Sequence, residues 1–356
     1  MFTEKYKTAL KNYEKFWRHE SIGRPIISVR APKTSERFRD PVSLEEKWLD
    51  EEYVCARIKF QNANTYHTAD STPSFLPNMG PGVLAACIGG NFELAPSTVW
   101  FDRHPIIDDM ENIPPLRFDT ESEMWQHIMR LQNRMLKEPD ANVMIVDIGG
   151  VVDILASLRS TETLLYDLYD YPEEVKELCS RITDMWIEAF DLQVANVSRS
   201  GLPYNNWHEI PSSLPWYPLQ CDFCAMISPS QFEEFVLGDL VRLANHMPRS
   251  IYHLDGPDAV RHLDMLLDID NLTGIQWQNG AGQPPYTDEC WFNMYRRIQD
   301  KKKNIVLRGV DPYDDASLER IVKTFDHAGF YMVLNCRTPD DADRTVEKIE
   351  KWSLER

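Results

Sequence analysis

The sequence lacks long hydrophobic runs, an excess of basic residues and a dense cysteine pattern. Its 356 residues contain no apolar stretch of the roughly 18 residues that a membrane-spanning helix needs. The opening segment MFTEKYKTALKNYEKFW alternates charged with apolar positions, so it has no signal-peptide core. Seven cysteines spread along a long chain are typical of reduced thiols. These absences predict a cytoplasmic protein with no membrane partner.

The charge balance excludes a second class of partner. Lysine and arginine number 38 against 56 aspartates and glutamates, so the formal net charge is −18. A strongly acidic surface does not attract nucleic acid or anionic lipid. The glycine turns in GGNFEL and DIGGVVD match neither of the two common phosphate-binding loop patterns. We therefore expect a small-molecule substrate, with no nucleic acid and no nucleotide site.

What the sequence does contain is a regular alternation of apolar runs and amphipathic segments. Between residues 250 and 352, four units each read as a buried strand followed by a helix. Further strands are predicted at 24–30 and 142–150, and long helices at 172–197 and 229–247. Such repetition predicts parallel strands joined by right-handed crossovers.

This pattern favours a single α/β domain over residues 1–356. The first choice is a TIM-type (β/α)8 barrel with an elaborated N-terminal region, in which residues from 1 to about 140 form an extension and cover loops. A doubly wound open sheet is the alternative, because local periodicity does not distinguish a closed sheet from an open one. The oligomeric state is not fixed by the sequence, and a homo-oligomer is compatible with it.

Polar and metal-binding residue types follow nearly every predicted strand. Active sites of barrel enzymes lie at the carboxyl ends of the strands, so these residues are the candidates for a site. They are Asp147, Trp207, His208, Glu209, Gln220, Cys221, Asp222, His253, Asp255, Gln276, Trp277, Arg308, Asp311, Asn335, Cys336 and Arg337.

Three of these segments resemble a known family. LQCDFCAMISPSQFEEFVLGDL from residue 219, YHLDG from residue 252 and LRGVDP from residue 307 are similar to motifs of the uroporphyrinogen decarboxylase superfamily. The resemblance extends over roughly residues 140–352. It implies a (β/α)8 barrel, and either porphyrinogen decarboxylation or zinc-dependent methyl transfer from a methylated corrinoid to a thiol. The family's arginine-rich opening is replaced here by RPIISVRAPK.

The resemblance also implies a zinc site. The corrinoid-linked methyltransferases hold zinc with His-x-Cys and a later cysteine, and the matching positions here are His253, Asp255 and Cys336. Imidazole, carboxylate and thiolate all bind zinc, and three protein ligands leave a fourth position open. The chain has no Asp-x-His-x-x-Gly loop for carrying its own cobalamin, so a corrinoid protein is the expected partner.

The remaining candidates are assigned to catalysis and to cofactor binding. Asp222, Glu209 and Arg308 are the predicted catalytic group, as proton-handling carboxylates and an anion-binding guanidinium. The predicted cofactor-binding residues are Gln220, Gln276, Trp277 and Trp207. Structural alternatives stay open at this stage: a histidine bonded to the backbone at 253, a solvated rim carboxylate at 209, and an ion pair between Arg308 and Asp311.

Three functions therefore follow from the sequence. The first is a zinc-dependent methyltransferase that works with a methylated corrinoid protein on a small thiol or similar acceptor. The second is a metal-free decarboxylase of a porphyrinogen-like or other carboxylated substrate, with Asp222 stabilising the developing positive charge. The third is a barrel that binds a small ligand or a corrinoid partner without chemistry of its own.

Overall fold

A computed structural model describes residues 4–138 and 142–356 of the protein. Within this part of the chain a seven-stranded sheet forms the centre, and two small two-stranded sheets lie beside it. The central strands are β1 (Ile26–Pro32), β2 (Thr65–Ala69), β7 (Trp216–Gln220), β8 (Arg249–Asp255), β9 (Gly274–Gln278), β10 (Asn304–Val310) and β11 (Phe330–Asn335). The small sheets pair β3 (Ser74–Phe75) with β6 (Asn142–Val143), and β4 (Glu93–Leu94) with β5 (Val99–Trp100).

Helices alternate with these strands. They are α1 (Glu4–Trp17), α2 (Leu44–Leu49), α3 (Glu51–Asn64), α4 (Leu84–Cys87), α5 (Glu123–Met135), α6 (Val151–Arg159), α7 (Thr161–Asp170), α8 (Pro172–Ser198), α9 (Pro229–Phe232), α10 (Gly238–His246), α11 (Leu263–Leu267), α12 (Phe292–Asp300), α13 (Asp315–Thr324) and α14 (Pro339–Leu354). Among the described residues, none of the helices combines the length and apolarity needed to cross a bilayer.

The order of the central strands is β2-β1-β11-β10-β9-β8-β7. All neighbours are parallel except β2, which runs antiparallel to β1. From β7 to β11 each strand lies beside the next one in the chain, so the direction of the steps does not reverse, as it would in a doubly wound sheet. In the part of the chain that the structure describes, β2 and β7 are the two edges and do not pair. The architecture is α/β with a mostly parallel sheet, and closure into a barrel stays a prediction.

The two faces of the sheet are covered differently. Alternate residues of a strand point to opposite faces, and one face packs against α1 through Tyr331, Ile251 and Trp216. There the ring of Trp17 lies 4.7 Å from that of Trp216, edge to face. The other face joins the large core that includes the surrounding helices. We call the first face the inner face, and the second the outer face.

The predicted strand and helix units agree well with this structure in the C-terminal half. The helix predicted at 229–247 begins at Pro229 with Ser228 as its N-cap, but it has a π turn at Glu233–Leu237 between α9 and α10. The strand predicted at 142–150 is wrong beyond its first residues. Val146 N–H donates to the side chain of Gln193 and Ile148 N–H to the hydroxyl of Tyr217, so side chains replace a neighbouring strand.

Candidate functional site

The carboxyl ends of β7, β8 and β9 bring three polar side chains side by side. The parallel register pairs Gln220 with His253, and His253 with Gln276. Directly paired residues on neighbouring strands point to the same face. Gln220 and His253 lie an even number of positions after Trp216 and Ile251, which pack against α1. The three paired residues therefore form a row on the inner face.

A group of possible metal ligands stands at the end of this row. One ligand atom from each of Asp222, His253 and Asp255 lies within 4.8 Å of the other two. His253 and Asp255 are two positions apart on β8, so the period of the strand places both on the same face. Asp222 reaches the group from the turn that follows β7. We call these three residues the Asp-His-Asp group.

A half-buried carboxylate holds Asp222 in position. The side chain of Asp153, on α6, accepts the main-chain N–H groups of Asp222 at 3.0 Å and of Phe223 at 2.8 Å. These are the first residues of the 3₁₀ turn Asp222–Met226. Burial, and next the charge of Asp222, raise the pKa of Asp153 to about 7. The turn is therefore tied to a helix that lies some 70 residues earlier in the chain.

A second contact orients His253. Its Nδ1 lies within hydrogen-bonding distance of Oε1 of Gln276. The amide nitrogen of Gln276 donates to the carbonyl of Trp277 at 2.6 Å, which leaves the amide oxygen to accept from Nδ1–H. In the neutral ring the lone pair then lies on the other nitrogen, Nε2. A neutral imidazole fixed by a bond at its second nitrogen is the usual form of a metal ligand.

The electrostatics of the Asp-His-Asp group favour a cation. Burial raises the pKa of the Asp222 carboxyl, while His253 opposes that shift and Asp255 adds to it. The Asp222 side chain still touches solvent because it lines an open cavity of about 250 Å³. Two carboxylates at this separation repel each other, and a positive ion between them removes that cost.

Two residues predicted for the site point elsewhere. The thiol of Cys336 lies 3.7 Å from the hydroxyl of Thr345 on α14, and Trp277 packs against Trp291 with ring centres 4.9 Å apart. Both belong to the core on the outer face of the sheet. In β11 the side chain of Val333 packs on the inner face. Cys336 follows three positions later, so its side chain points to the opposite, outer face. Geometry thus replaces Cys336 with Asp222 as the third candidate ligand.

The predicted catalytic residues Glu209 and Arg308 form an ion-paired group with Arg30. Nη1 of Arg30 lies 2.9 Å from Oε1 of Glu209, and Nη2 of Arg308 lies 3.3 Å from Oε2. Burial alone would raise the pKa of Glu209, but Arg308 and Arg30 hold it below its ordinary value. Arg308 thus pairs with Glu209, while the Asp311 carboxylate caps the N–H of Tyr313 at 2.9 Å. We call these three residues the Arg-Glu-Arg group.

Trp207 contacts both groups. Its ring meets the ring of His253 edge to face, with the ring centres 5.1 Å apart, and its main-chain carbonyl accepts a hydrogen bond from Arg308. A cavity of about 260 Å³ lies between them and is lined by Arg30, Trp207, His253, Gln276 and Arg308, among others. His253 of the Asp-His-Asp group and the two arginines of the Arg-Glu-Arg group therefore line one cavity at the strand ends.

Two further cavities open on either side of this central cavity. The one beside Asp222 has Trp100, Phe101 and Met226 in its wall. The other, of about 740 Å³, extends from the Arg-Glu-Arg group towards α3 and β2. Its wall includes Arg57 and His67, which the sequence reasoning did not identify. Their sequence signal is slight, since both lie far upstream of the motifs that carry the resemblance.

Comparison with known proteins supports the fold at a distance. No family model and no curated protein matches the chain. Among solved structures, a methyltransferase from Methanosarcina mazei is similar with a TM-score of 0.60, and the match covers 99% of both chains at 12% identity. At that identity the likeness is evidence for a shared fold alone.

Proposed function

We propose that the protein is a zinc-dependent methyltransferase with a barrel-type fold, and that Asp222, His253 and Asp255 hold the metal. The observation that carries the proposal is the Asp-His-Asp group itself, with its histidine oriented by Gln276. One imidazole and two carboxylates are suitable zinc ligands, and three of them leave a fourth position for a substrate. The fold likeness to a methyltransferase adds support.

The metal would supply one element of the chemistry. A thiol bound to zinc loses its proton readily and becomes a strong nucleophile towards a methyl group. The protein's own residues would do the rest. Gln276 fixes the ring of His253, Asp153 fixes the turn that carries Asp222, and the ring of Trp207 packs against the ring of His253.

The donor that fits the sequence resemblance is a methylated corrinoid carried by a partner protein. We assign it to the side of the site where Trp100, Phe101 and Met226 line the smaller cavity, because these side chains offer an apolar surface beside Asp222. Gln220 lines the same cavity and would contact the donor. The Arg-Glu-Arg group would orient the acceptor on the opposite side.

Metal analysis of the purified protein tests the proposal. We expect about one equivalent of zinc per chain by mass spectrometry after reconstitution and desalting. Asp222→Asn and His253→Ala should each abolish that retention. Cys336→Ser should retain zinc like the wild type, since its thiol contacts Thr345 on the outer face. Asp258→Asn is a matched control, because this exposed carboxylate near the site pairs with Arg261.

Two outcomes would contradict the proposal. One is less than about a tenth of an equivalent of zinc in the reconstituted wild type. The other is equal retention by the wild type and the His253→Ala variant. Turnover should be followed with free methylcobalamin and 2-mercaptoethanol as probes. Release of carbon dioxide from a carboxylated substrate by metal-free protein would instead favour the decarboxylase, with Asp222 as its working carboxylate.

A further inference from the structure

The largest of the three cavities has a strongly polar wall. It measures about 740 Å³ and lies between the Arg-Glu-Arg group, helix α3 and strand β2. Three of its lining residues are arginines, namely Arg30, Arg57 and Arg308, and the wall has one carboxylate, Glu209. Most of the other lining residues are amides or hydroxyls. Such a wall is suited to a charged, hydrogen-bonding ligand and poorly suited to an apolar one.

The cavity is positive in an otherwise acidic protein. Its histidine, His67, contributes no charge at neutral pH, because burial and then the charge of Arg30 lower its pKa to about 4. Three guanidinium groups against one carboxylate give a formal charge of 3 − 1 = +2. The whole chain carries −18. A concentrated positive charge on such a background focuses the field on anions that enter the cavity.

Several donors in this wall have no acceptor. Among the described residues no carboxylate lies within 4 Å of Arg57, whose guanidinium lies 5.6 Å from the centre of the Tyr53 ring. In the same part of the chain, Nε of Arg308, Nε2 of His67 and Nε1 of Trp207 are buried without a hydrogen-bond partner. Buried polar atoms of native proteins are nearly always paired, so these three buried nitrogens, with the half-buried guanidinium of Arg57 beside them, are consistent with a site for a hydrogen-bonding ligand.

Glu209 occupies the other side of this wall under backbone strain. Its φ angle is +62°, in the left-handed region that residues with a side chain seldom adopt. Its carboxylate lies between Arg30 and Arg308 and accepts from Arg30 at 2.9 and 3.0 Å. Strained residues that are held by their surroundings cluster at functional sites.

We propose that this cavity binds a small molecule carrying an oxyanion, and that Glu209 holds the place of that anion between Arg30 and Arg308 in the free protein. The oxyanion is a carboxylate or a phosphoryl group. On binding, it takes hydrogen bonds from Arg57 and from the arginines that Glu209 releases. This inference rests on the proposed function in one respect, since it makes the ligand the methyl acceptor of that reaction.

Calorimetric titration of the metal-free protein tests the inference without any methyl donor. The probes are succinate and inorganic phosphate, which offer the two kinds of oxyanion. Glu209→Gln should bind the preferred probe about tenfold more tightly than the wild type, because the internal competitor loses its charge. Arg57→Gln should bind it at least about tenfold more weakly. Arg103→Gln is the control, since Arg103 lies over the ring of Trp100, which lines a different cavity.

The direction in which Glu209→Gln changes the affinity for the probe tests whether Glu209 holds the place of the anion. A purely structural carboxylate predicts weaker or unchanged binding in this variant, and that result would overturn the place-holding role. The oxyanion site itself is refuted if neither probe binds the wild type or Glu209→Gln, or if Arg57→Gln binds like the wild type. Within residues 4–138 and 142–356 Arg57 has no ion pair to lose, so its variant should fold. Preference for succinate over phosphate identifies the oxyanion as a carboxylate, and the reverse identifies it as a phosphoryl group.

These measurements are independent of zinc. Failure of the metal proposal would leave oxyanion binding by the metal-free protein unchanged. Conversely, a protein that retains zinc but binds neither probe would keep the proposed function and lose this inference.

Discussion

Replacement of Gln276 by leucine should weaken zinc binding at the proposed site while the protein stays folded. Gln276 is buried, with 1% of its surface exposed, and does not belong to the Asp-His-Asp group. Its amide oxygen faces Nδ1 of His253, and its amide nitrogen donates to the carbonyl of Trp277 at 2.6 Å. Leucine has a similar size but accepts no hydrogen bond. His253 would then lose the contact that fixes its tautomer and orientation.

The size of this effect follows from the geometry. Removal of the outer hydrogen-bond partner of a metal-binding histidine costs about 10- to 100-fold in affinity, or about 1.4–2.8 kcal/mol. The folded apoprotein also loses one acceptor for a buried N–H, at about 1–3 kcal/mol. A chain that buries a core of this size tolerates that loss, so the melting temperature should fall by only a few degrees.

Competition with a fluorescent zinc chelator would measure the affinities of the wild type and of two variants. Gln276→Glu is the matched variant, because its carboxylate accepts from Nδ1–H as the amide does. Its affinity should lie well above that of Gln276→Leu. The reasoning is refuted if Gln276→Leu binds zinc within about twofold of the wild type, or if both variants lose the same affinity.

Three further predictions concern buried and half-buried carboxylates. Burial raises the pKa of Asp147 to about 7, so the folded state keeps a proton that the unfolded chain releases, and stability falls as the pH rises from about 4 to about 7. The unfolding free energy of Asp147→Asn, measured by urea titration, should therefore rise by up to about 3 kcal/mol relative to that of the wild type between pH 5 and pH 8. If the variant and the wild type differ by the same free energy at both pH values, the raised pKa is contradicted. Asp70 is 1% exposed and pairs with Arg24 at 2.6 Å. Asp70→Ala should therefore lower the free energy of unfolding by about 3–5 kcal/mol. A loss below about 1 kcal/mol would show that the pair is dispensable. Asp153→Ala should lower zinc affinity about tenfold by freeing the turn that carries Asp222, and equal affinity in the chelator assay would show that the turn holds without it.

The sequence predicted the repeating units of the fold because each helix has its own apolar stripe. It did not predict which strand residues face the site. The strands are buried on both faces, so they are continuous apolar runs in which alternation is not visible. Adjacent residues that looked equivalent in the sequence therefore point to opposite faces of the sheet. Gln276 lines the cavity while Trp277 packs against helices. Asn335 lines the same cavity while Cys336 packs against α14.

Residues that reach the site from distant elements were also beyond the sequence patterns. Asp153 lies on a helix and supports a turn about 70 residues later, and Arg57 lies on a helix of the N-terminal extension. Only the tertiary arrangement brings them to the strand ends. Asp222 and His253 were both found from strand exits, but as members of different groups. Their closeness follows from the pairing of β7 with β8, which the sequence did not specify.

The pairing of β1 with β11 has a consequence for how the chain reaches this structure. Ile26 pairs with Tyr331, which lies 331 − 26 = 305 positions later. During synthesis the first strand of the sheet leaves the ribosome long before its parallel neighbour exists. Contacts of such large sequence separation form late and slow folding. Until then β1 has only β2 beside it, and its other edge is open to association with other chains. A nascent chain that stops before residue 330 should therefore depend on chaperones to stay unaggregated.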